Sequence, residues 1–231
     1  MPLVACVIPA YDAARTLASV IGGIRIAVPH AVTIVVDDGS RDTTGVEAAR
    51  WADHVVTLPR NRGKGAALRA GFEAALAMGA INILTIDADG QHDPACAPRL
   101  LAALLDADVV IGARERRGST MPVHRRLSNA VSAVAISLCM GRRLADSQSG
   151  YRAMRAVVLA SVAPTGDRYE YETDFLIQVA RLGLRITCVA VPTIYGAPSH
   201  FRELRDAARV VRTICRGLPF AMGSAATAPA K

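Results

Sequence analysis

From Leu3 to Ile86 the sequence alternates four times between a short apolar or β-branched run and a longer stretch of helical character. Leu3 to Ile8 is the first run, ended by Pro9, and apolar spacing turns helical from Thr16 to Ile26. Val32 to Val36 stops at Asp37-Asp38-Gly39-Ser40, where Ser40 or Asp42 can cap a helix through Arg50. His54 to Leu58 leads through Asn61-Arg62-Gly63-Lys64-Gly65 into the Ala-rich, helix-favouring stretch Ala66 to Met78, and Ile81 to Ile86 is the fourth run. Such alternation predicts right-handed crossovers and a mostly parallel sheet flanked by helices. Tyr11, Asp38, Lys64 and the Asp87, Asp89 pair all follow the runs. They therefore belong at the carboxyl edge of the sheet, where open α/β folds bind ligands.

The fourth run carries the densest chemistry: Asp87-Ala88-Asp89-Gly90-Gln91-His92-Asp93. Two carboxylates around a small residue can address one divalent cation, and oxygen-only ligation suits Mg²⁺ or Mn²⁺, whose usual other partner is a phosphate. A solvated Asp-Gly turn after a strand accounts for the same residues equally well. Asp38 could accept hydrogen bonds from a base edge or ribose, and Lys64, Arg60 or Arg62 could steady phosphates. A helix-cap neighbour and a surface charge are the plain alternatives for Asp38 and Lys64. The common glycine loops are absent, since Gly65 rather than Ser or Thr follows Lys64 and Pro9-Ala10-Tyr11 stands where a dinucleotide fingerprint would. Hydride transfer with NAD is thereby disfavoured.

Asp108 to Gly112 predicts a fifth strand, entering the cationic loop Arg114-Glu115-Arg116-Arg117. Asn129 to Met140 is small and apolar, bounded by Arg125, Arg126, Arg142 and Arg143, and is read either as a core helix or as a helix at a membrane surface. Asp146 to Arg155 is a polar turn entering a structured segment, Tyr169 to Leu182 a helix, and Ile186 to Val191 a further strand closed by Pro192. From Phe201 a basic amphipathic helix follows, with an arginine stripe for solvent or for an anionic membrane. Residues 217–231 read as a frayed tail.

The net charge of +7 favours anionic partners, but aromatics are only 4% and no basic run interleaves with them, which makes nucleic acid the weakest option. Five scattered cysteines without a C-x-x-C pattern suit a reduced, cytoplasmic setting. No secretory signal and no apolar run of about 18 to 20 residues is expected, so a membrane would be met from its surface.

Val7-Ile8-Pro9-Ala10-Tyr11, Ile34-Val35-Val36-Asp37-Asp38-Gly39-Ser40, Asn61-Arg62-Gly63-Lys64-Gly65 and Asp87-Ala88-Asp89-Gly90-Gln91-His92-Asp93-Pro94 occur in that order. Together they resemble glycosyltransferase family 2 enzymes of GT-A fold, in particular the dolichyl- or polyprenyl-phosphate sugar synthase branch. Ser149-Gly150-Tyr151-Arg152 and Tyr195 to Ser199 extend the likeness less specifically. The resemblance implies one Rossmann-like GT-A domain over 1–216, with a nucleotide-sugar half (1–115) and an acceptor half with amphipathic helices (116–216). It implies inverting transfer of a hexose from GDP-mannose or UDP-glucose to a polyprenyl phosphate at the inner face of the membrane. Pro9, Tyr11, Val36, Asp38, Lys64, Asp87, Ala88 and Asp89 would then line the nucleotide sugar. Asp87, Asp89 and Gln91 would surround Mg²⁺ or Mn²⁺; Asp89, Arg114 and Arg126 would be catalytic; Arg126, Arg152, Ser199 and His200 would meet the acceptor. Ala13 and His200 depart from the family's usual acidic residue and lysine.

A lipid phosphate is largely ionised near neutral pH and can attack without a strong base. A hydroxyl acceptor needs a carboxylate, for which Asp93, Asp146, Glu172 and Asp174 are candidates, with helix caps or salt-bridge partners as the plain alternatives. A same-fold enzyme with a soluble hydroxyl acceptor, a non-catalytic nucleotide-sugar-binding protein and a nucleotidyltransferase are the other functions considered.

Overall fold

A computed structural model describes residues 3–114, 146–192 and 194. The expectations for Arg126, Ser199, His200, the segment 129–140, the helix from Phe201 and the tail lie outside the described residues. In chain order the elements are β1 (Val4–Ala10), α1 (Ala14–Ala27), β2 (Ala31–Asp37), α2 (Thr44–Trp51), β3 (His54–Thr57), α3 (Lys64–Ala77) and β4 (Asn82–Thr85). After them come α4 (Ala97–Ala102), β5 (Val109–Arg114), β6 (Arg152–Arg155), α5 (Ala156–Ser161), α6 (Glu170–Arg181) and β7 (Ile186–Val191). The strands form a 7-stranded sheet in the order β3-β2-β1-β4-β6-β5-β7. All pairings are parallel except those of β6, which runs antiparallel to both β4 and β5.

Apolar runs are continuous because both faces of the sheet are covered. Cys6, Ile8, Val35 and Leu84 face one side, where Leu17, Ile21 and Ile24 of α1 and Leu100 of α4 meet them. Ala5, Val7, Ile34, Val36 and Ile83 face the other, beneath Leu68 and Phe72 of α3 and Phe175, Leu176 and Val179 of α6. Leu17, Val20, Ile21 and Ile24 are the buried residues of α1, at the i, i+3, i+4, i+7 spacing of a single apolar stripe.

One local reading needs correction, and another gains a direction. β1 does not stop before Pro9 but continues to Ala10, because its pairing with β4 ends at Val7 while that with β2 runs on to Ala10. Pro9 thus has a ladder on one flank only, which a residue without an N–H tolerates. The segment after the Asp146 turn is a strand whose direction the sequence did not reveal. Arg152-Ala153-Met154-Arg155 is short and charged at both ends, so it lacks the apolar run of a central strand, and tertiary pairing alone places it between β4 and β5.

α3 lies close against the sheet because its buried residues are mostly Gly and Ala. A Cβ on Gly71 would stand 2.3 Å from Val7 Cγ1, whereas one on Gly22 of α1 would meet nothing within 4 Å. Gly71→Ala is therefore expected to destabilise by about 1–2 kcal/mol, overpacking exceeding the gain in helix propensity. Gly22→Ala should be neutral or stabilising by up to about 1 kcal/mol. Urea unfolding of both variants checks the contrast, and equal effects would contradict the close seating of α3.

Candidate active site

Parallel β1, β2, β4 and β5 deliver their carboxyl ends to one edge, and antiparallel β6 brings its amino end, with Gly150 and Tyr151 before it, to the same place. The loops there are tied together by side chains accepting from backbone N–H groups. Asp12, with φ of 47°, donates its N–H to Ser40 Oγ (3.0 Å), and its carboxylate accepts from Arg41 N (2.8 Å). Ala13 N donates to Thr44 Oγ1 (2.7 Å) and Ala14 N to Asp42 (3.2 Å). Asp38 is buried and takes Arg62 N on one oxygen and Gly63 N on the other, both at 2.7 Å. Burial pushes its carboxyl above the ordinary value, against those hydrogen bonds. Gly39, at φ +67°, allows this contact, since a Cβ there would lie 2.5 Å from the backbone of Arg60.

Lys64 opens α3 with its ammonium under the β4 loop, its side chain 14% exposed. It bonds Asp87 Oδ1 at 2.7 Å and Glu172 Oε2 of α6 at 3.1 Å. Glu172 in turn stands 3.6 Å from Arg152, whose guanidinium also donates to the carbonyls of Ser147 (3.0 Å) and Ser149 (2.8 Å). Burial alone would lower the Lys64 pKa, but the two carboxylates outweigh it and hold the ammonium above its usual range. For Asp87, burial would raise the carboxyl, and Lys64 more than reverses this. Gly150 is required beside the pair: a Cβ would stand 2.4 Å from Asp87 Oδ1 and 2.5 Å from Lys64 Nζ.

Asp89 differs from Asp87. Its Oδ1 accepts from Gln91 N (3.0 Å), and its other oxygen has no hydrogen-bond partner among the described residues. Burial, then the charge of Asp87, raises its carboxyl above the ordinary value. His92 is buried with Nε2 4.0 Å from Asp87, its ring 5.3 Å from that of Tyr151 and its Nδ1 without a hydrogen-bond partner among the described residues. Burial lowers it to about 4, so it stays neutral near pH 7. No group of three or more His, Cys, Asp or Glu among the described residues forms a metal cage. Two crowded carboxylates with an unpartnered oxygen do fit a cation that draws its remaining ligands from a diphosphate.

The sequence profile of Glycosyl transferase family 2 matches residues 5–162. The chain belongs to this family. It is 36% identical over 200 residues to undecaprenyl-phosphate mannosyltransferase of Micrococcus luteus, across 80% of this chain and 81% of that protein. It is 34% identical over 198 residues to polyprenol monophosphomannose synthase of Mycolicibacterium smegmatis, across 80% and 75%. Glucosyl-3-phosphoglycerate synthase of Mycobacterium tuberculosis, solved with Mn²⁺, UDP and glucosyl-3-phosphoglycerate, superposes with a TM-score of 0.74 at 25% identity over 94% of this chain and 80% of that one. The fold of this glycosyltransferase is the GT-A arrangement expected from the motifs.

Among the residues expected at the transferase's site, Pro9, Tyr11, Asp87, Asp89, Gln91 and Arg114 are half-buried at the carboxyl edge. Val36 and Ala88 lie deeper. Val36 has no exposed surface and packs in the core, while Ala88 serves the site through its carbonyl, which accepts from Thr16 Oγ1 at 2.6 Å. Arg152 is buried, with its donors turned to the protein's own carbonyls. Arg114 bonds Asp146 through two nitrogens, at 2.7 and 3.2 Å. The sequence offered Asp146 and Glu172 as possible bases, caps or salt-bridge partners, and assigned neither to a particular cation. Their separation along the chain from Arg114 and Lys64 hides the pairing. Gly150 carried a signal only as part of a motif.

Burial would raise the Asp146 carboxyl, but Arg114 and the N–H of Gln148 hold it below the ordinary value. A depressed carboxylate contributes stability fully above the unfolded value of about 3.9, and loses it as pH falls through the folded value. Asp146→Asn should therefore destabilise by about 1–3 kcal/mol at neutral pH, with a difference that shrinks on acidification towards about pH 3. Urea titrations across that range measure it, and a difference that widens in acid would contradict the assignment.

Proposed function

We propose that the enzyme transfers a hexose, with inversion, from a nucleotide diphosphate sugar to a polyprenyl phosphate at a membrane surface. The observation that carries this reading is the engagement of the four carboxylates considered as bases for a hydroxyl acceptor: Asp93 accepts from Ala95 N (2.9 Å) and Asp174 from Thr165 N (2.7 Å) and Gln178 (3.2 Å). Asp146 is clamped by Arg114, and Glu172 is held between Lys64 and Arg152. None of the four is a poised base. An ionised phosphate needs none, because its oxygen is already nucleophilic and catalysis reduces to positioning and to stabilising the leaving diphosphate. The names of the two prenyl-phosphate relatives support this acceptor and favour mannose as the sugar. Among the described residues no helix is long and apolar enough to cross a membrane. The arginine-flanked apolar sequence 129–140, outside the described residues, is proposed as the surface contact for the lipid.

In this reading Tyr11, Pro9 and the Asp38 loop would form the wall against the nucleotide, and Asp87, Asp89 and Gln91 would hold Mg²⁺ or Mn²⁺. When bound, the cation neutralises charge building on the diphosphate. Lys64 fixes the position of Asp87, and Arg114, oriented by Asp146, would present positive charge from the β5 side. Arg126, Ser199 and His200 are proposed to meet the acceptor phosphate. Arg152 contributes from behind, by holding the loop 147–149.

Incubation with polyprenyl phosphate and radiolabelled GDP-mannose or UDP-glucose should yield label in the organic phase and a free nucleoside diphosphate. Asp89→Asn should lower that rate at least about a thousandfold, equivalent to about 4 kcal/mol in the barrier. Labelling of soluble acceptors only, or release of pyrophosphate, would overturn the reading.

A further inference from the structure

Lys64 by itself balances the charge of Asp87, yet a second buried carboxylate, Glu172, shares the same ammonium, and Arg152 balances Glu172 in its turn. Burying two extra charges is costly, and an apolar pair of the same volume would serve the fold as well or better. The row alternates in sign from the β4 loop inward: Asp87, Lys64, Glu172, Arg152. Its last member grips the carbonyls of Ser147 and Ser149, in the bend that runs into Gly150 beside Asp87 and Lys64. Thr85 Oγ1 donates to Gly150 O (2.8 Å), fastening that turn to β4.

We propose that Glu172 is a positioning residue that sets the cation affinity of the site. By drawing Lys64 partly to itself, it leaves Asp87 enough negative charge to help hold a divalent cation, and through Arg152 it keeps Gly150 against the pair. The inference rests on the cation and diphosphate site described above. Removing the charge of Glu172 leaves the row with one negative and two positive members, and removing that of Arg152 leaves two negative and one positive. The two changes therefore act with opposite sign on a cation and on a bare diphosphate. Loss of a structural ion pair would weaken both ligands in both variants.

Calorimetric titration of the full chain with UDP and with GDP, across a range of Mn²⁺ concentrations and in chelator, tests this without any acceptor. In Glu172→Gln the Mn²⁺ concentration for half-maximal nucleotide binding should rise about tenfold, while affinity for the metal-free diphosphate holds or increases. In Arg152→Gln the half-saturating Mn²⁺ should fall and metal-free affinity should decrease. Glu172→Asp, which keeps the charge, should stay within about threefold of the native protein. Shifts of the same sign in the two charge variants, or no shift, would overturn the proposal, and if one variant fails to fold, the sign of the other decides. A native chain that binds neither nucleotide in any Mn²⁺ would instead overturn the site reading itself.

Discussion

Burial of the Lys64 ammonium is the constraint on which the rest of the site depends. The residue stands at the first position of α3, where the helix macrodipole is positive and a cation is unfavourable, and its side chain is largely withdrawn from water. It stays charged only because Asp87 and Glu172 both reach it. Those carboxylates come from the end of β4 and from the first turn of α6. The electrostatic demand of one side chain thus ties together three elements distant in sequence. Gly150, Gly65 and Gly63 allow the approach, for a Cβ on any of them would strike the Asp87 and Lys64 pair, Tyr171 or the backbone of Asp167.

Most acidic residues near the carboxyl edge serve the backbone before any ligand. Asp38 holds the loop before α3, Asp42 joins the start of α1 to that of α2, and Asp12 holds Arg41 N. Charge-assisted bonds of this kind are stronger than neutral ones. They give the wall proposed for the nucleotide its shape in advance, which would leave little ordering for the moment of binding.

Against that background Asp89 stands out as a carboxylate with an oxygen left unpartnered among the described residues and a second negative group beside it. His92, kept neutral by burial, adds no charge on the far side of Asp87. The local field is therefore set by Asp87, Asp89, Lys64 and Arg114, with Glu172 and Asp146 each drawing on one of the two cations. This is the balance of charges that suits a cation and a diphosphate arriving together.

The alternation of apolar runs with helical stretches was enough, from the sequence alone, to determine the parallel core and the single edge that gathers the loops at Tyr11, Asp38, Lys64 and Asp87, because burial on two faces writes itself into local pattern. The order of motifs was enough to reach the family. Tertiary structure decided the rest. The antiparallel course of β6 depends on pairing with β4 and β5, and nothing in four residues with an arginine at each end encodes its direction. That Glu172 answers Lys64 and Asp146 answers Arg114 depends on the docking of α6 and of the turn before β6. Such pairs are chosen by distance in space and by the energy of leaving a buried charge unpaired, and neither is a property of sequence spacing.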